Sequence, residues 1–137
     1  MKKVFVMVFG LVFLFAGIAS AQTWFTANQV TVAWDAVAKI AATDTIKYQV
    51  YTRVGTTGDG TAVGGEITAN QLVITFPAEG RYFIGVKSIR YPAGETVGIP
   101  SVTTSWSNDA SVCSSAGPFG IVFYAAPSGV QGLKPVQ

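Results

Sequence analysis

The sequence predicts an all-β sandwich of about seven short strands. Three observations carry this expectation. Several segments alternate apolar and polar residues with a period of two, turn residues separate them, and no stretch beyond the N-terminus has the spacing of an amphipathic helix.

The N-terminus is set apart from the fold. Lys2 and Lys3 precede the apolar run Val4–Ile18, and Ala19-Ser20-Ala21 follows it. A basic start, a short apolar middle and a small-x-small end predict a secretory signal peptide over residues 1–21, cleaved after Ala21. The run is shorter than the roughly 20 residues of a membrane-spanning helix, so no stable span is expected after cleavage. Export to the periplasm or the cell exterior follows. Of the 137 residues, nine are basic and seven acidic, with no His. Losing Lys2 and Lys3 leaves seven basic against seven acidic, and this neutral balance gives no reason to expect nucleic acid as a partner. One domain is expected over residues 22–126, followed by a C-terminal tail, 127–137.

In chain order, Gln29–Asp35 places Val30, Val32 and Trp34 on one side, and Ile46–Arg53 opposes Ile46, Tyr48 and Val50 to Lys47, Gln49, Tyr51 and Arg53. The turn Gly55–Gly60 holds an Asp-Gly pair suited to a tight reversal, and Ala62-Val63 is a candidate short edge strand. Gln71–Phe76 places Leu72, Ile74 and Phe76 together before Pro77 ends the run. Arg81–Arg90 is the expected central strand, with Tyr82, Ile84, Val86 and Ser88 toward a core and Phe83, Gly85, Lys87 and Ile89 toward water. Tyr91–Pro100 reads as a loop. Either Ser101–Ser107 or Phe119–Ala125 is the last strand.

These segments resemble a bacterial fibronectin type III domain. Val30–Asp35 is similar to that family's second strand with its buried Trp, and Ile46–Tyr51 to its third. Glu79–Val86 resembles the turn into the sixth strand, where a Tyr hydroxyl braces the corner, and Ser105-Trp106-Ser107-Asn108 resembles a segment of many bacterial members. The resemblance implies an immunoglobulin-like sandwich. Its core would be Trp34, Tyr48, Val50, Leu72, Ile74, Tyr82, Ile84 and Val86, between sheets about 10 Å apart. It departs from the family at the first strand, for which only Gln22–Asn28 remains. That strand is therefore expected to be short, or supplied by the tail.

Chemistry finds little material. Without His and with one Cys, nucleophile–base pairs and zinc ligand sets cannot be assembled, so no catalytic residue, metal or cofactor is expected. The seven acids read as solvated loop carboxylates. Cys113 cannot bridge internally, so it is either a buried inert thiol or one available to another chain. Trp24 and Trp106 are candidate interaction residues, as platforms for a polysaccharide or protein. Trp106 has a second reading, packed under Lys87 or Arg81 on the sheet's outer face. In the tail, Val130 and Leu133 are candidate contacts. A sandwich lacking its first strand exposes an edge, which Pro127–Gln137 can fill in its own domain or in another copy. The expected function is a secreted, non-catalytic structural or adhesion module, assembling into filaments by strand addition. A carbohydrate-binding accessory module is the alternative.

Overall fold

A computed structural model describes residues 21–129, 131–132 and 134–135. The expected signal peptide, save Ala21, and the contacts Val130 and Leu133 lie outside the described residues. Nine strands form among those described: β1 (Thr23–Thr26), β2 (Gln29–Ala33), β3 (Thr45–Val54), β4 (Thr61–Ile67), β5 (Gln71–Thr75), β6 (Gly80–Tyr91), β7 (Ile99–Pro100), β8 (Ser105–Trp106) and β9 (Phe119–Phe123). No helix is present among them, as the absence of helical periodicity implied.

The strands make two sheets. One runs β1-β9-β6-β3-β4, with β7 and β8 also paired to β6; the other is β2-β5 alone. Their facing sides meet in one core. Val32 and Ile74 of the small sheet pack with Val50, Tyr82, Ile84 and Ile121 of the large one, joined by Phe76. Ile74, Ile121 and Val50 are fully buried. Tyr48 is also buried, whereas Trp34, Leu72 and Val86 are half-buried at the core's margin.

β6 is central, as its sequence indicated. It pairs with β3 along its length, and three short strands lie end to end on its other side. Phe123, Val122 and Ile121 of β9 face Gly80–Tyr82, Trp106 and Ser105 of β8 face Gly85 and Val86, and Pro100 and Ile99 of β7 face Ile89 and Arg90. The two candidates for the last strand are thus parts of one interrupted strand. Between β8 and β9 the chain leaves as a loop, Ser107–Pro118, and returns where the Phe119 amide donates to the Ser107 carbonyl at 2.7 Å. Ser107 repairs the break: its own amide donates to the Ile84 carbonyl, and its hydroxyl accepts from the Ile84 amide.

Several expectations are corrected. The outer side of β6 is not open to water: Phe83, Gly85 and Ile89 are all buried, because tryptophans and a loop cover that face. The edge strand at Ala62-Val63 is longer, passing through Gly64-Gly65 to Ile67 with a register shift opposite Tyr48 and Val50. Tyr91–Pro100 is not wholly loop, since Tyr91 ends β6 and Ile99–Pro100 forms β7. Of the two expected sources of the first strand, the short segment within Gln22–Asn28 supplies it, as β1, which pairs parallel to β9 and not with β2. No strand forms among the described residues of 127–137.

Candidate functional site

β2 is bonded on one side only. The Phe76 amide donates to the Asn28 carbonyl, and the Trp34 amide to the Asn70 carbonyl. In an antiparallel pair, residues alternate between exchanging both bonds with the partner and turning both groups away. Val30 and Val32, in step with Asn28 and Trp34, therefore bond to β5, while Gln29, Thr31 and Ala33 turn their N–H and C=O groups outward. All three are exposed, and among the described residues no strand pairs with that edge.

Beside this edge runs an open cleft of about 460 Å3. The second half of β2 forms one wall, with Val32 and Trp34. Its floor is the inner face of the large sheet, with Tyr48, Ile84 and Val86, and its far wall is β8 and the Ser107–Pro118 loop up to Phe119. Hydroxyl residues Ser101, Thr103, Ser105 and the buried Ser107 also line it. Trp34 meets Tyr48 with ring centroids 5.4 Å apart, near edge-on, and the Tyr48 hydroxyl accepts from the Val37 amide at 2.8 Å. The Trp34 indole N–H is buried without a partner, a costly arrangement for a polar group. Apolar side chains stand exposed in the flanking loops: Val37 and Ile40 after β2, Ile99 and Val102 around β7, and Val112 in the inserted loop. A cleft of about 220 Å3 lies at the opposite edge, between β5 and the β3–β4 pair.

The rings of the predicted aromatic platforms lie on the outer face of the large sheet, although Trp106 also borders the cleft. Trp106 lies across Gly85, where a Cβ would come within 2.7 Å of its ring, and reaches Gly60 in the β3–β4 turn. Arg53 stacks over it at 3.9 Å, in place of the expected Lys87 or Arg81, because β3 presents Arg53 on that face beside β6. Arg53 also donates to the Gly58 carbonyl and to Asn108 Oδ1. Trp24 lies on Gly120 and tilts against Phe83, and Arg81 stands over it at 5.1 Å. Each indole thus packs on the sheet with a guanidinium near its ring, and Trp24 remains 36% exposed.

The eight predicted core residues come together around the cleft and the core beneath it. Tyr82 donates its hydroxyl to the Ala78 carbonyl at 2.7 Å, bracing the β5–β6 corner as its position suggested. Cys113 is half-buried in the inserted loop, where its thiol donates to the Ser107 carbonyl at 3.3 Å. Burial, with a smaller contribution from the Asp109 carboxylate, pushes that thiol up from its ordinary value, so it stays protonated and poorly nucleophilic at neutral pH.

One acid breaks the reading of solvated carboxylates. Asp44 is 2% exposed and grips Arg90, with Oδ2 2.7 Å from Nε, and it accepts the Ala41 amide. The Arg90 hydrogen bond first, and the Ala41 amide second, hold its carboxyl below the usual range. Sequence gives no signal for this pair, whose members are far apart in the chain. Among the described residues no group of three or more His, Cys, Asp or Glu is placed to hold a metal ion, and no helix is long and apolar enough to cross a membrane. Comparison of the chain with family models, with curated proteins and with solved structures finds no match.

Proposed function

We propose that this chain is an exported, non-catalytic structural or adhesion module of fibronectin-type-III-like build, which binds an extended polypeptide segment along the free edge of β2. The observation that carries this reading is the pairing of that edge with the cleft. Outward N–H and C=O groups supply main-chain hydrogen bonds, and the cleft receives every second side chain. Supporting the family part are the sheet order, the Tyr82 hydroxyl bracing its corner, and the Trp106-Ser107-Asn108 segment, whose first two residues bond to β6 and whose third bonds to Arg53 of β3.

Proline at an outward position tests the reading without unfolding β2, because the N–H it removes makes no bond to β5. Peptides selected from a random display library against the processed chain are expected to lose at least about tenfold in affinity for a Thr31→Pro, Ala33→Pro variant. Equal binding to both proteins, or selection of no peptide, overturns strand addition at β2.

A further inference from the structure

Resting on that reading, we infer that the segment taken by the cleft is residues 128–134 of a second copy of this chain, inserted antiparallel to β2, so that copies join head to tail.

The path of the chain supplies the vacancy. β1 runs beside β9 toward the corner end of the sandwich, where Ala27 donates to Val122 and the chain crosses to β2. β2 then runs back, and the cleft lies along its second half, level with Ile84 and Val86. β1 therefore borders β9 only at the corner end, and the cleft beside the second half of β2 has no strand over it among the described residues.

The same geometry selects the donor. β9 ends opposite Gly80, and the next residues are held at that end, where the Ala125 amide donates to Glu79 Oε1 at 2.6 Å. The following segment thus departs from the end opposite the cleft. To reach its own cleft it must turn back past β1. A copy stacked below receives it from above, running against β2, which is the favourable sense of pairing. Such a contact uses different surfaces on the two copies and does not close on itself by symmetry.

The segment's sequence suits the role. Ser128–Lys134 lies between Pro127 and Pro135, so every residue within it keeps a main-chain N–H. It is long enough to cover β2, which has 5 residues. Val130 and Leu133 are spaced by three and would fall on opposite sides of a regular strand. Gly132 between them has a φ of +67°, the left-handed conformation of the first residue of a glycine bulge. A bulge there counts two residues as one and brings Val130 and Leu133 to the same side, facing Val32 and Val86.

A complementation experiment with full processed chains tests this. The natural chain is expected to form concentration-dependent oligomers in sedimentation velocity, with affinity tighter than about 1 mM. A Thr31→Pro, Ala33→Pro variant keeps its donor but loses its acceptor. A Val130→Asp, Leu133→Asp variant does the reverse. Each alone is expected to be monomeric, and their mixture to form one-to-one dimers and nothing larger, which also shows that both variants are folded. A natural chain that stays monomeric, or a mixture that fails to pair, overturns the inference. If library peptides still bind at β2 while this segment does not, the occupant is wrong and the binding edge stands.

Discussion

The two sheets of this sandwich are covered to different degrees. In the large sheet, β6 is covered on both faces: the core and the floor of the cleft lie below, and Trp24, Trp106 and the Gly98 loop lie above. The small sheet is dry on one face only, and Val73 on its outer side is half-exposed at 54%. The edges differ as well. β4, at one margin of the large sheet, carries a register shift and the Gly64-Gly65 pair, features that spoil further pairing. β2 has no charge, proline or bulge. One sheet thus has its margin blunted, and the other keeps a regular edge that no strand among the described residues pairs with.

The largest expected effect tests the core that both sheets share. Ile121, fully buried on β9, should cost about 2–5 kcal/mol when changed to Ala, measured by denaturant unfolding. Outer-face substitutions should then separate the sheets. Gly85→Ala puts a methyl group against Trp106 and Thr104, and is expected to destabilise by about 1–3 kcal/mol. Val73→Ala on the outer face of the small sheet should stay within about 0.5 kcal/mol. Equal costs at the two positions would erase the contrast. Tyr82→Phe removes one hydrogen bond at the corner joining the sheets, for about 0.5–1.5 kcal/mol. The smallest effect is in pH dependence. Asp44 titrates lower when folded than unfolded, so its contribution is complete above the ordinary carboxylate range and is lost as pH falls through the lowered value. Asp44→Asn should flatten the acid limb of the stability curve; an unchanged limb would show that the Arg90 contact adds nothing to folding.

The alternating strands were legible where one face is buried, as in Val30-Val32-Trp34 and Leu72-Ile74-Phe76. The outer face of β6 was misread, since Phe83 and Gly85 alternate like solvent-facing residues until distant tryptophans are laid over them. Glycine there signals close approach of another group, but not which group. Ser107 and Asp44 were missed because a short polar side chain looks the same in sequence whether it meets water or closes a strand. The cleft could be anticipated only as a missing first strand.

Local pattern, by itself, determined the β class, the central strand and most of the core. These depend on period-two burial and on turn residues, which act over a few positions. Tertiary structure alone decided that β1 joins β9, that the last strand is split around the Ser107–Pro118 loop, and that β2 keeps a free edge. Those outcomes turn on which backbone groups find partners across the sandwich, a competition between segments that no single stretch of sequence records.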